Sequence, residues 1–299
     1  MSAVPVKISI VTPTYNQGEF IEQTICSVIE QNYPNLEYII IDGGSTDNTV
    51  QIIRKFEKYI SYWVSEKDNG QAHAINKGLA LSTGELFNWL NSDDYLESGA
   101  LFKIAEAFTD QKVHLVAGKV RNFSNQYQEV IPNQNLTSKG LMCWSPGLNF
   151  VQPGVWMRRE LIEKCGGIDE QYHYSFDWDL YIRYLYHFPF VKEIPDLLVH
   201  FRLHDRSKTQ SLLDLFELER RKIIEKLYTL PEYKKLHKSC RYKIEKTLWT
   251  EILSNTSKTE NDFLSKCFYI FRLVPEFKKV AFTRQTLGAL RAFWNKKAI

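Results

Sequence analysis

Over the first hundred residues the chain alternates between two hydrophobic rhythms. Lys7-Ile8-Ser9-Ile10-Val11 is a short strand-like run that stops at Thr12-Pro13-Thr14-Tyr15-Asn16. Phe20, Ile21, Ile25, Val28 and Ile29 then recur at helical spacing, until Asn32-Tyr33-Pro34-Asn35 breaks the pattern. Tyr38-Ile39-Ile40-Ile41 is apolar throughout, as expected of a strand buried on both faces. Ile52, Ile53 and Phe56 mark a second helix, Tyr62-Trp63-Val64 a brief strand, and 72–81 a third helix. Residues 86–90 form the next strand, and Leu197-Leu198-Val199-His200-Phe201 a later one. This β-α-β-α-β order predicts an α/β fold with a doubly wound, mostly parallel sheet. From about residue 211 the pattern becomes helical, with Leu212, Leu213, Leu215, Phe216 and Leu218 followed by Ile223, Ile224 and Leu227.

Each predicted strand ends in polar or flexible residues: Thr12/Tyr15/Asn16, Asp42/Gly43/Gly44, Glu66/Asp68/Asn69/Gly70 and Ser92/Asp93/Asp94. In a parallel sheet these ends converge on one edge, where open α/β sheets bind ligands. The adjacent carboxylates Asp93-Asp94 repel unless a positive group accompanies them, and a divalent cation carrying a diphosphate is one such group. A helix-capping loop is the competing reading. Gly43-Gly44 does not make a dinucleotide fingerprint, because no GxGxxG follows the first strand. A Walker A sequence is also missing, and the lack of a Gly-rich phosphate loop after the first strand disfavours a nucleotidyltransferase.

The 299 residues, 44% hydrophobic and 24% charged, suit one large domain with an appendage, or two domains. No stretch approaches the ~20 apolar residues of a membrane span. Met1 to Val6 lack the features of a secretory signal. Five scattered cysteines without a CxxC pair read as reduced thiols of a cytosolic protein. The net charge of +3 conceals an acidic front and a basic tail. Residues 1–216 carry 19 Lys and Arg against 26 Asp and Glu, and residues 217–299 carry 19 against 9. Two readings of the tail stand side by side. One is peripheral attachment to the inner face of the cell membrane through basic residues and interfacial aromatics. The other is a helical cap or oligomer contact with a solvated basic face. Nucleic acid is not an expected partner, since no recognition motif accompanies the charge.

Taken in order, Thr12-Pro13-Thr14-Tyr15-Asn16, the run 41–49, Ser65-Glu66-Lys67-Asp68-Asn69-Gly70 and Asn91-Ser92-Asp93-Asp94 resemble the successive motifs of the family 2 glycosyltransferases. The runs 152–159, 166–169, 177–183 and 201–204 continue in the same order, so the resemblance covers about residues 6–210. It implies a GT-A fold, Rossmann-like with a mostly parallel sheet flanked by helices, followed by a helical C-terminal extension. The expected organisation is a domain over 1–210, with a nucleotide-sugar half to about residue 100 and an acceptor half from 101 to 210, then a basic helical region over 211–299. The implied activity is inverting transfer of a hexosyl or N-acetylhexosaminyl unit from a nucleotide diphosphate-sugar, UDP-sugar favoured, to a glycan or lipid-linked glycan acceptor in surface-polysaccharide synthesis. A non-catalytic sugar-nucleotide-binding or scaffolding subunit is the alternative.

The resemblance also implies roles. Thr12, Pro13, Tyr15, Asp42, Asp68, Gly70, Asn76 and Asp93 would bind the donor nucleotide, with Tyr15 stacked on the base. Asp94 and His204 would hold a divalent cation, Mn²⁺ or Mg²⁺, and Arg202, Arg206 and Lys208 the diphosphate. Gln152 and Trp156 begin the acceptor side, where Arg158 also lies and where Trp156 reads equally as a core aromatic. Asp177 is the expected general base and Asp179 the runner-up, which reads also as a helix N-terminal carboxylate.

Overall fold

The computed structural model describes residues 5–204, 213–259 and 262–295. They separate into two compact units, residues 1–219 and 220–299. The first unit is built on one sheet. In chain order its elements are β1 (Ile8–Thr14), α1 (Ile21–Ile29), β2 (Leu36–Asp42), α2 (Thr49–Lys55), β3 (Tyr62–Ser65), α3 (Gln71–Leu81), β4 (Leu86–Trp89), β5 (Tyr95–Leu96), α4 (Ala100–Ala107), β6 (Leu115–Phe123), β7 (Gln128–Pro132), α5 (Ser138–Cys143), β8 (Val155–Arg158), α6 (Arg159–Lys164), α7 (Phe176–His187) and β9 (Val191–Arg202). The strand order is β3-β2-β1-β4-β8-β6-β9-β5, with β7 added alongside β6.

The leading four strands are mutually parallel, and β8 enters antiparallel between β4 and β6. β1 is buried along its whole length because helices cover both of its faces. Its period of two sorts the core. Ile8 and Ile10 join Tyr38 and Ile40 in a cluster closed by Ile21, Ile25 and Val28 of α1 and by Leu101 and Ile104 of α4. Val11 faces the opposite side, under α3. There Gly78 lets the helix approach closely, since a Cβ on it would stand 2.4 Å from Val11 Cγ1.

At the other end of these strands, Glu37 of β2 gathers Lys7 Nζ (2.7 Å), Ser9 Oγ (2.6 Å) and the Thr83 backbone N–H (2.7 Å). Burial alone would raise its pKa, but the hydrogen bonds from Lys7, Ser9 and Thr83 prevail and bring it down to about 2.

The chain continues through α8 (Leu213–Thr229), α9 (His237–Lys258), α10 (Phe263–Leu273), α11 (Lys278–Ala281) and α12 (Arg284–Asn295). In the second unit Trp249, Leu253, Ile270, Val280 and Ala281 form a separate core. All five cysteines are free thiols. Among the described residues no helix is long and apolar enough to cross a membrane.

Candidate active site

The centre of the site is made by the pairing of β5 with β9. Tyr95 lies opposite His200 in antiparallel register, so the residues before β5 and those ending β9 run past each other. That register brings Asn91–Asp94, the loop after β4, against Arg202 and His204. The backbone N–H of Arg202 donates to Asp94 Oδ1 at 2.9 Å, and His204 Nε2 lies 3.0 Å from Asp93 Oδ2. Thr24 of α1 pins the loop from below, its hydroxyl donating to the carbonyls of Ser92 (2.9 Å) and Asp94 (2.6 Å). Asp94 is buried while Asp93 is half-buried. Burial, then the charge of Asp93, pushes the Asp94 carboxyl well above the usual carboxylate range. Thus Asp94, expected as the cation ligand, is turned inward, and Asp93 is the acid that meets His204.

Arg202, expected on the diphosphate, lies against two aromatic rings. Its guanidinium lies 4.9 Å from the Phe20 ring centroid and 4.8 Å from that of Phe123, and it donates to Gln23 Oε1 (2.5 Å) and the Asp93 carbonyl (3.0 Å). It stiffens the loop. Arg206 and Lys208 lie outside the described residues. His200, inside an apolar strand, stacks on Tyr95 and bonds Glu97 at 2.9 Å.

The other strand ends differ in what they expose. Tyr15 projects beyond β1 with 60% of its surface accessible, a position suited to stacking on a flat ring. Thr12 and Pro13 are buried within β1, and the Thr12 hydroxyl meets Tyr38 OH at 3.1 Å. Asp42 is also buried. Its Oδ2 accepts from Ser45 N (2.9 Å), Gly44 N (3.2 Å) and Ser65 Oγ (2.6 Å), and the Ser45 hydroxyl donates to Oδ1. Asp42 therefore shapes the loop that follows β2. Asp68 reaches over Gly43, where a Cβ would come within 2.8 Å of its Oδ2, and accepts from Gly70 N at 2.8 Å. Asn76 turns away from the strand ends: its amide donates to the Ile168 carbonyl (2.9 Å) and to Glu170 (2.7 Å).

The two acids at the start of α7 also separate. Asp179 is fully buried and ion-paired with Arg183, which donates to it from Nε (2.8 Å) and Nη2 (2.7 Å). Arg183 also binds the carbonyls of Cys165 and Gly167, holding a turn whose glycines have φ of +90° and +70°. Asp177, half-buried in the first turn, accepts from the Trp178 N–H at 2.7 Å. Sequence reasoning missed Glu219. From α8 its carboxylate accepts the backbone N–H groups of His173, Tyr174 and Ser175, each at 2.8 Å, and so ties down the loop that delivers Asp177. Only a charged residue on a helix edge marks it in the sequence.

The acceptor side is corrected. Trp156 is 1% exposed and belongs to the core between β4 and β6. Gln152 is buried and spans to β4 through Asn88 Oδ1 (3.0 Å) and the Trp89 carbonyl (3.3 Å). Arg158 is buried on the Val113 carbonyl at 2.8 Å. All three fall on an interior strand and its entry turn; the polar atoms of Gln152 and Arg158 are used internally, while the Trp156 indole N–H is buried without a partner among the described residues.

Among the described residues no three His, Cys, Asp or Glu side chains converge as a metal cage. The donor chemistry nevertheless fits a cation that a ligand also coordinates. Two adjacent carboxylates, one buried, stand beside an imidazole, and the excess negative charge is what a divalent ion offsets.

Residues 9–166 match the family model described as Glycosyl transferase family 2. An uncharacterized glycosyltransferase of Rickettsia typhi is 28% identical over 218 residues, 70% of this chain and 68% of that protein. A poly-beta-1,6-N-acetyl-D-glucosamine synthase of Staphylococcus epidermidis is 34% identical over 123 residues, 40% of this chain but only 30% of the synthase. Two solved structures share the fold. Residues 1–349 of TarS from S. aureus, in complex with UDP-GlcNAc, give a TM-score of 0.59 at 18% identity, covering 77% of this chain and 69% of that one. The mannosyltransferase PcManGT of Pyrobaculum calidifontis, in complex with GDP-Man and Mn²⁺, gives 0.58 at 17%, covering 99% and 88%. The curled, mostly parallel sheet with flanking helices is the GT-A architecture expected from the sequence.

Proposed function

This chain belongs to glycosyl transferase family 2, and on that footing we propose that it moves a sugar from a nucleotide diphosphate-sugar, UDP-sugar favoured, to an acceptor hydroxyl with inversion. The observation that carries this reading is the contact of His204 with Asp93, next to the buried Asp94, at the strand edge. Tyr15 would stack on the base, and Asp68 would border the ribose from the loop over Gly43. Asp93 and His204 would hold a divalent cation, with the buried charge of Asp94 behind them. When bound, that cation would act as a Lewis acid on the departing diphosphate. A His donor favours Mn²⁺, because imidazole is softer than oxygen.

Inversion needs one base to take the acceptor proton as its oxygen attacks the anomeric carbon. Asp177 fits that role as the half-exposed acid of α7, whereas Asp179 is neutralised by Arg183. The Asp177 carboxylate receives the proton, and the nucleoside diphosphate leaves from the opposite face of the sugar. The synthase relative supports assembly of a surface polysaccharide on a glycan or lipid-linked glycan, with a hexosyl or N-acetylhexosaminyl unit transferred.

The test is nucleoside diphosphate release from a panel of UDP- and GDP-sugars with Mn²⁺, Mg²⁺ or chelator. Release that depends on the cation supports the reading; the absence of release from every donor with suitable acceptors favours a scaffolding subunit. Calorimetric Mn²⁺ titration in the presence of UDP separates the ligands. Asp93→Asn and His204→Gln should each weaken Mn²⁺ binding at least roughly tenfold.

A further inference from the structure

The second unit carries a surface that its own core does not explain. α10 is apolar on both sides. Phe263, Ile270 and Leu273 face the core around Trp249, while Leu264, Phe268 and Phe271 sit on the outside with 60–74% of their surface exposed. Those three follow one another at i, i+4 and i+7, which makes a continuous stripe along the helix. Trp294 of α12 is also exposed and lies edge-on to Phe263 at 5.1 Å between ring centroids. A cavity of about 550 Å³ opens beside Leu264, Ser265 and Phe268. A helix that leaves such an apolar stripe on the surface marks an interaction site.

The charge around the stripe identifies what covers it. α10 has Asp262 at its N-cap and no acidic residue within it; Lys266 is buried and Arg272 is exposed. From Phe277 to Ile299 the sequence has six Lys and Arg and no Asp or Glu. Arg272 and Arg291 are exposed on α10 and α12. Residues 220–299 hold 19 basic against 7 acidic residues, while residues 1–219 hold 19 against 28. A protein partner needs only apolar complementarity. Exposed aromatic side chains on a unit with a large excess of cations match a bilayer interface, where rings enter the headgroup region and Lys and Arg meet anionic phosphates.

We propose that α10 and α12 form a docking face for an anionic membrane surface, with Leu264, Phe268, Phe271 and Trp294 inserted and Arg272 and Arg291 on the headgroups. The proposal stands independently of the donor chemistry and is tested without turnover. The full chain is sedimented with vesicles of phosphatidylcholine alone or mixed with phosphatidylglycerol, at low and high salt. Binding should appear on the anionic vesicles and fade as salt screens it. The double variant Phe268→Ser/Phe271→Ser should lose roughly tenfold in partitioning, and Arg291→Glu about fivefold or more. These side chains are exposed, so folding is retained, and circular dichroism checks it. Equal binding to neutral and anionic vesicles, or variants that bind as well as the parent, overturns the proposal. A concentration-dependent dimer in light scattering that Phe268→Ser/Phe271→Ser abolishes also overturns it, because a second copy then covers the stripe.

Discussion

The loop after β4 and the first turn of α7 present the same chemistry in opposite halves of the first unit, and they divide it in the same way. Each contributes two nearby acids. In each, one acid is buried and held by an arginine, Asp94 by the Arg202 backbone and Asp179 by the Arg183 guanidinium. In each, the other acid is half-buried, Asp93 beside His204 and Asp177 in the first turn of its helix. The pairs differ in what offsets the buried charge. Asp179 has a full counter-ion, whereas Asp94 has a backbone N–H and a long contact of 3.4 Å from Asn91. A neutralised acid holds a turn in place. Asp94 lacks such a counter-ion, and burial with the neighbouring Asp93 disfavours its ionised form.

The comparison can be broken most directly at Asp177. Asp177→Asn should lower kcat by roughly 10²–10⁴ while the apparent affinity for the donor and the melting temperature stay near the parent values. Near-normal turnover would remove Asp177 as base. At Asp179 the effect should fall on stability instead. Asp179→Asn leaves Arg183 buried without its counter-charge and should cost about 3–5 kcal/mol in urea unfolding. A stable Asp179→Asn enzyme with kcat reduced like that of Asp177→Asn would reverse the two assignments.

Glu219 sharpens the α7 side. Removing its charge weakens three hydrogen bonds to the loop before Asp177, so Glu219→Ala should reduce kcat about tenfold with the donor KM nearly unchanged. Glu219→Gln should recover part of that loss, and a change confined to the donor KM would refute the positioning role.

The smallest effect lies at the far end of the strands and tests whether the acid pattern there is structural only. Glu37 titrates near 2 in the folded chain and near its ordinary value when unfolded. Its contribution is therefore present above about pH 4.5 and lost as pH falls toward 2. Glu37→Gln should lower stability at pH 7 by about 1–2 kcal/mol and flatten that acid limb in denaturation curves, leaving kcat unaltered.

Much of this was legible in the order of residues. The Ile-rich runs at 8–11 and 38–41, with helical spacing between them, predict buried parallel strands, and the structure contains them as β1 and β2. The polar strand ends could be read as one edge because parallel topology leaves little alternative. Trp156 and Gln152 were not legible, since an aromatic and an amide look alike whether they line a cleft or fill a strand interior. β8 enters the middle of the sheet antiparallel, so its side chains are covered on both faces. Glu219 was beyond reach for a related reason. Its partners are three backbone N–H groups 44 to 46 residues away, which carry no side-chain signature.

The chain by itself determined its family, the doubly wound sheet and the set of loops that meet at the site. These follow from local propensity, from the period of apolar residues and from short motifs, all of which act over a few residues. Only the tertiary structure decided which acid of each pair is buried, that Asp93 meets His204, and that Arg202 serves the loop. Those outcomes depend on strand register and on desolvation, and both arise when segments a hundred residues apart come within hydrogen-bonding distance.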